Sequence, residues 1–456
     1  MASTHLSQTI SSSTGKKFTM STWIKKTAND NINQIFHLTS DNNTHKYIDY
    51  ATKSGYGVDF QLKNGSGGTY LRRRLTRIFR DPSAWYHVVI RFDSTQGSAG
   101  DRLRIYINGE QATDIDVDST PDVPQDYVTE FNTNGSSLLI GKNPSGGGYY
   151  FDGLMSHFHL CDGYSYAPTE FGETDSTTGI WKFKSQVSVS YGTNGFYIFK
   201  DGNNLSGTTV QDQSGQGNDF TATGNLTSMK DCPDNVFAVL NDNVRTSPSQ
   251  PTLSHANNTQ TPNAGAYQNA FSTLGMTGSG KYYWEIKVNG TANSANYMGI
   301  SNLIEFDNRQ QSGNVIGANT KSYSVSGSSG DKRTNDSNTS YGSTFADGDI
   351  MMGALDLDNG KIFFGKNGSW FDSGNPATGA NPAFSSISAS EVYLLGATVY
   401  NGGYTSINWN FGNGYFGTTA ITTNSNNGYS GAEGSSKFNY QPPTGFSALS
   451  TKGLNE

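Results

Sequence analysis

Apolar and polar residues alternate along short runs of this chain, and glycine- and asparagine-rich turns separate the runs. In Phe18-Thr19-Met20-Ser21-Thr22-Trp23-Ile24 apolar side chains alternate with small polar ones, the period of a half-buried strand. Runs of the same kind occupy residues 85–92, 103–107, 138–141 and 153–160, and the second ends in Asn108-Gly109, a strong hairpin signal. Many short strands punctuated by turns predict a sandwich or jelly roll. Strands become sparse from about 174 to 241, with 181–183 and 195–199 as islands, and residues 243–265 are polar. This stretch reads as a connector packed on the first domain. A second block begins near Tyr267 and holds runs at 281–288, 297–300, 349–356, 361–364, 392–399 and 406–411. Asp358-Asn359-Gly360 marks another hairpin within it. The two blocks are not repeats of one another.

The pattern therefore predicts an all-β chain with two β-sandwich (jelly-roll) domains in series, joined by a connector. The expected divisions are 1–185 for the first sandwich, 186–262 for the connector, 263–425 for the second sandwich and 426–456 for a C-terminal docking segment. Trp23 and Trp85 are expected to be buried in the first sandwich, and Trp284 and Phe363 in the second. The closing segment from Phe438 to Leu454 is more apolar than the loop before it. Exposed, it would place grease in water, so it is expected to dock on the second sandwich or on a neighbouring subunit.

Composition sharpens the fold class. Charged residues are 15% of the 456, and glycine reaches 54, whereas about a quarter of an ordinary soluble domain is charged. Of the 38 acidic residues only 9 are Glu; Asp suits turns and strand ends, Glu suits helices. A net charge of −7 argues against nucleic acid as a partner. No apolar stretch of about 18 residues occurs, which predicts no membrane insertion. Residues 1–17 are Ser/Thr-rich and lack the apolar core of a signal peptide. Cys161 and Cys232 cannot build a disulfide framework; two unpaired thiols are expected, with a single bridge as the alternative.

Candidate chemistry is thin. Glycoside hydrolysis needs two suitably spaced carboxylates, and no Glu begins an alternating carboxylate pattern on a strand, so no catalytic residues are assigned. His157 and His159 would share a strand face and could ligate a metal, but no third ligand is placed, and framework roles are expected. Aromatics beside glycine-rich loops are the ligand-binding candidates, because sugar faces stack on flat rings: Tyr149, Tyr150, Trp370, Tyr400 and Tyr404. The alternative is that they cover the sandwich ends. Arg72, Arg74 and Arg77 belong to the densest charge run. They read either as an exposed strand guarded against edge pairing or as a contact with an acidic partner or anionic glycan. With Phe438, Tyr440 and Phe446 they form the expected partner contacts. The oxygen-rich run from Asp212 to Asp219 is read as an Asx-turn, with a calcium loop as the alternative.

The first block resembles the laminin-G-like, concanavalin A-type jelly roll, through Trp23, Asp81-Pro82-Ser83-Ala84-Trp85-Tyr86-His87, Arg104-Ile105-Tyr106-Ile107-Asn108-Gly109 and Phe151-Asp152-Gly153-Leu154. The second resembles a SPRY-type sandwich, through Gly280-Lys281-Tyr282-Tyr283-Trp284-Glu285, Met298-Gly299-Ile300, Asp356-Leu357-Asp358-Asn359-Gly360 and Asn410-Phe411-Gly412. The order of these landmarks, with Asp212-Gln213-Ser214-Gly215-Gln216-Gly217-Asn218-Asp219 and Pro442-Pro443-Thr444-Gly445-Phe446, is similar to a family of marine bacteriophage virion proteins. The resemblance implies a virion surface protein, tail fibre or head/tail decoration, for host-surface glycan binding and attachment. Its partners would be other virion proteins, further copies of itself and a host glycan. No cofactor is expected, with calcium left open because related jelly rolls carry it. An adhesin-like composition without an export signal or disulfides fits assembly in host cytoplasm and exposure on the particle. The alternatives are a structural decoration protein without ligand, and a polysaccharide-degrading enzyme.

Overall fold

The structure, a computed structural model, describes residues 4–27, 32–40, 46–53, 55–65, 70–116, 122–144, 149–200, 205–244, 250–263, 267–290, 296–302, 315–400, 403–421 and 429–455. It divides into two units, 1–228 and 229–456. Each is a β-sandwich, and among the described residues the only helical elements are short 3₁₀ turns.

In the first unit the described residues form a nine-stranded sheet. Its order is Leu205–Ser206, Thr209–Val210, Phe220–Thr223, His5–Thr9, Ser137–Ile140, Asn33–Thr39, Lys46–Lys53, Tyr56–Asn64 and Tyr70–Arg74. A six-stranded sheet runs Phe196–Ile198, Gly153–Asp162, Lys17–Lys26, Trp85–Asp93, Leu103–Ile107 and Glu110–Gln111. Alternation decides which side chains meet between them. Phe18, Met20 and Ile24 from one sheet, and Phe36, Ile48, Phe60 and Leu71 from the other, share one buried core. Asn108 and Gly109 take φ of 49° and 84°, both left-handed, as the tight turn after Ile107 requires.

The second unit has an eight-stranded sheet, ordered Thr252–Ser254, Thr259–Thr261, Tyr404–Asn410, Lys281–Gly290, Ile350–Asp356, Lys361–Lys366 and Ser369–Trp370, with Ser447–Ala448 added in parallel beside Lys281–Gly290. Its six-stranded partner runs Tyr267–Met276, Tyr393–Tyr400, Tyr297–Asn302, Ser322–Ser326, Lys332–Thr334 and Ser337–Thr339. Trp284, Ile286, Val288, Met298, Leu395 and Trp409 fill the space between. Trp23, Trp85, Trp284 and Phe363 are all buried.

The stretch 186–262 differs from the expected connector. Phe196–Ile198 and the strands between 205 and 223 extend both sheets of the first unit, while the strands between 252 and 261 extend the second. The unit boundary falls between Ser228 and Met229. These strands have two to four residues each, too short for alternation to register, yet Phe196, Ile198, Val210 and Phe220 are core residues. The closing segment is likewise part of the second unit. Phe438, Phe446, Ala448 and Leu449 are fully buried there.

Candidate functional site

The outer face of the nine-stranded sheet carries a polar and aromatic layer, in which His37, Asp49, Asp59 and Gln61 are buried while Tyr47, Tyr70 and Arg72 reach the surface. Leu38, Ile48, Tyr50, Phe60, Leu62 and Leu71 point into the core, so their neighbours in sequence point away from it. Register then sets His37 opposite Asp49, Asp49 opposite Gln61, and Gln61 opposite Arg72, a row across four strands. Beside it Tyr47 faces Lys63, and Lys63 faces Tyr70.

Hydrogen bonds knit these rows together. Asp49 Oδ1 accepts from Gln34 Nε2 at 2.6 Å and lies 2.9 Å from His37 Nδ1. The Tyr70 hydroxyl donates to Gln61 Oε1 at 3.1 Å, and Gln61 Nε2 donates to Asp59 Oδ1 at 3.1 Å. Arg72 grips Asp59 with two bonds, Nε to Oδ1 at 2.9 Å and Nη2 to Oδ2 at 2.5 Å, while Lys53 Nζ reaches Oδ2 at 2.6 Å. Burial pushes the Asp59 carboxyl up, but the Arg72 and Lys53 cations outweigh it and hold the group below the usual carboxylate range. Asp59 is therefore a fixed anion that orients its neighbours. Burial raises the phenols of Tyr47 and Tyr70, which stay protonated donors. The Tyr47 ring stacks near His37, with centroids 5.8 Å apart, and Tyr70 is 38% exposed. Fixed donors and acceptors beside flat rings suit a ligand made of hydroxyls and ring faces.

Two of the sequence candidates belong to this face. Tyr149 O accepts from Asn143 N at 3.0 Å, and Asn143 Nδ2 reaches Gln34 Oε1 and Asp49 Oδ1 at 3.4 Å each. Tyr149 is 39% exposed at that margin. Tyr150 lies under Lys142 Nζ, 5.7 Å from its ring centre. The layer itself was missed in the sequence, because its residues come from separate strands and only pairing register unites them. Tyr47-x-Asp49 and Asp59-x-Gln61, alternating with apolar residues, were the available signal.

The other candidates fall elsewhere. Tyr404 is 1% exposed and belongs to the second core, so its ring is closed to ligands. Tyr400 is half-buried against Tyr267, and Trp370 packs edge-on to Tyr283. The arginines expected at a partner contact are paired within the chain: Arg72 with Asp59, Arg74 with Asp116, and Arg77 with Asp114. Phe438 and Phe446 are fully buried in the second unit's own core, so their rings are closed to a partner, and the half-buried Tyr440 packs against the same cluster.

His157 and His159 do lie on one face, the outer face of the six-stranded sheet, where both rings pack near Tyr197 with centroids 6.2 and 3.8 Å away, but a bulge rather than simple alternation brings them there. The register jumps from Ser156 opposite Trp23 to His159 opposite Ser21, and His157 takes φ 47° in the resulting bulge. His159 is buried, with Nδ1 2.9 Å from the Tyr191 hydroxyl. Among the described residues no group of three His, Cys, Asp or Glu side chains is placed to hold a metal ion. Asp212 forms an Asx-turn. Its Oδ1 accepts from Tyr197 N and Ser214 N at 2.8 Å each, and its Oδ2 accepts from Ser214 Oγ at 2.7 Å and Asn218 N at 3.1 Å. Cys161 and Cys232 are unbridged.

Residues 2–169 match the family model of the concanavalin A-like lectin/glucanases superfamily, and residues 281–413 match that of the SPRY domain. Among solved structures, the SPRY domain of human HERC1 is 20% identical, with 33% of this chain and 87% of that one covered and a TM-score of 0.26. The native heptameric SAP-like pentraxin from Limulus polyphemus is 21% identical, over 36% of this chain and 71% of that one, with a TM-score of 0.26. The stonustoxin structure is 17% identical, over 39% and 27%, with a TM-score of 0.28. No curated protein matches this sequence.

Proposed function

We propose that this chain, which joins a concanavalin A-like lectin/glucanase sandwich to a SPRY sandwich, is a glycan-binding protein displayed on the surface of a bacteriophage particle. The observation that carries the binding role is the hydrogen-bonded face of Tyr47, Asp49, Gln61, Tyr70 and Arg72, with Tyr149 at its margin. The role is non-catalytic. A glycosidase acid must carry a proton to the leaving oxygen, whereas Asp59 is held ionised between Lys53 and Arg72. Placement on a virion, association with other virion proteins and self-association are supported by the order of the sequence landmarks and by the Gly-rich, charge-poor composition.

A glycan array probed with the full chain tests the binding role. Selective binding should appear, and Tyr70→Ala and Tyr149→Ala, both at exposed rings, should each weaken it at least tenfold while unfolding midpoints move little. An array without selective signal, or binding indifferent to both changes, overturns the assignment. Proteomics and immunogold labelling of particles from an infected host culture test the location.

A further inference from the structure

A cleft of about 330 Å³ opens on the outer face of the second unit's eight-stranded sheet. It lies where Thr252–Ser254, Thr259–Thr261, Tyr404–Asn410 and Lys281–Gly290 run side by side. Alternation makes it polar: Ile286, Val288, Ile407 and Trp409 face the core, so Lys287, Asn289, Ser406 and Asn408 face out. Register aligns Ser254, Thr259, Asn408 and Lys287 in one row across the four strands, and Ser406 with Asn289 in the next. Thr259 Oγ1 donates to Asn408 Oδ1 at 2.7 Å, and Asn289 Nδ2 donates to Ser406 Oγ at 2.8 Å.

Two observations separate this place from an ordinary solvated sheet face. Its floor is covered: Thr259 and Asn408 are buried, and Gly417, at φ 60°, packs so closely that a Cβ there would stand 3.0 Å from Asn408 Oδ1. Its rim is strained: His255, Ala256 and Asn257 follow one another at φ 52°, 55° and 58°. Left-handed non-glycine residues persist only where the surroundings fix them, and they gather at binding sites. Here Leu240 N donates to Asn257 O at 2.9 Å, and Trp409 N donates to Asn258 O at 2.7 Å.

The lining states the ligand chemistry. Six hydroxyl side chains, two carboxamides, His255 and the Phe416 ring surround one permanent cation, Lys287, and among the described residues no carboxylate lines the cleft. Among the described residues Lys287 makes no ion pair. The volume sits at the small end of ligand pockets, enough for one sugar ring. We infer that this cleft binds a single acidic sugar unit, a pyranose bearing a carboxylate. Lys287 pairs with the carboxylate, and the two polar rows take the ring hydroxyls. The site is independent of the glycan face in the first unit.

The test is saturation-transfer NMR and calorimetry on the full chain with glucuronate, glucose and inorganic sulfate. Glucuronate should bind, glucose at least tenfold more weakly, and sulfate more weakly still. Lys287→Met should cost at least tenfold for glucuronate, and Ser406→Val severalfold, both with an unchanged unfolding midpoint. Tyr70→Ala should leave glucuronate binding intact, which separates this site from the first unit's. No glucuronate binding, sulfate binding as tightly as glucuronate, or indifference to Lys287→Met would each overturn the inference.

Discussion

The backbone N–H of Tyr440 donates to Glu285 Oε1 at 2.7 Å, so a carboxyl group on the outer face of the second unit's eight-stranded sheet holds the chain's closing segment. Glu285 is fully buried and accepts three further bonds, from Asn439 N at 2.9 Å, the Tyr283 hydroxyl at 3.0 Å and Asn410 Nδ2 at 3.2 Å. Tyr404–Asn410 pairs with residues 285–290 and stops there. Ser447–Ala448 then pairs with Tyr282 and Tyr283 along the same strand, so its backbone groups are not left bare. Removing the carboxylate strands buried donors on both partners. Glu285→Ala should cost about 3 kcal/mol and make the segment after residue 428 sensitive to protease. Denaturant unfolding and limited proteolysis check this.

Glu285 also sets a pH dependence. Burial pushes its pKa up to about 7, above the usual 4.5, although its hydrogen-bond donors favour the charged form. The folded state therefore holds its proton more tightly than the unfolded chain does between pH 4.5 and about 7. Stability from this group is full below pH 4.5 and is lost as pH rises through 7, by about 3 kcal/mol at most. Glu285→Gln cannot titrate, so the stability difference between wild type and variant should shift toward the variant from pH 5 to pH 8. Urea midpoints across that range measure it.

The sandwiches were legible because their long strands alternate cleanly. Trp23, Trp85, Trp284 and Phe363 are buried as expected, but alternation alone puts only Trp284 between the sheets. Trp23 stacks on His87 on the face opposite Phe18, Met20 and Ile24, and Phe363 packs in the separate cluster with Phe438. The strands at 196–198 and 205–223 were not legible, since two to four residues carry almost no period and gain their apolar faces only from neighbours already in place. Site residues were legible only where one loop carries them, as at Tyr149. The Asp49–Gln61–Arg72 row depends on register between strands, which no single segment specifies. The buried partner of Phe438 was hidden for the same reason: Tyr283 lies more than a hundred residues upstream.

Gly353 is a packing requirement. It sits opposite Trp284 on the neighbouring strand, and a Cβ there would come within 2.1 Å of the indole ring. Trp284 is fully enclosed and has nowhere to move. Gly353→Ala should destabilise the second sandwich by about 3 kcal/mol, while the first keeps its unfolding transition. Differential scanning calorimetry of the full chain would resolve the two.

His87 makes the first sandwich sensitive to acid. The indole Nε1 of Trp181 lies 2.9 Å from His87 Nδ1, and His87 Nε2 lies 2.8 Å from Ser21 Oγ. An indole nitrogen only donates, so Nδ1 accepts, the ring is neutral and its proton rests on Nε2. Trp181 is held there by two close approaches: a Cβ on Gly109 or Gly172 would overlap its ring. Burial, aided by the nearby His157, lowers the His87 pKa from 6.5 to about 3. The unfolded chain binds this proton more readily, so the stability contribution is full above pH 6.5 and is lost as pH falls toward 3, by about 5 kcal/mol over the whole span. Heteronuclear NMR should find His87 neutral, with its proton on Nε2, at pH 5. Trp181→Phe keeps an aromatic ring but deletes the donor to Nδ1. It should cost about 1 kcal/mol at pH 7 and let the His87 tautomers mix. A wild-type His87 that is charged at pH 5, or a tautomer unmoved by Trp181→Phe, would show that the indole does not fix the ring.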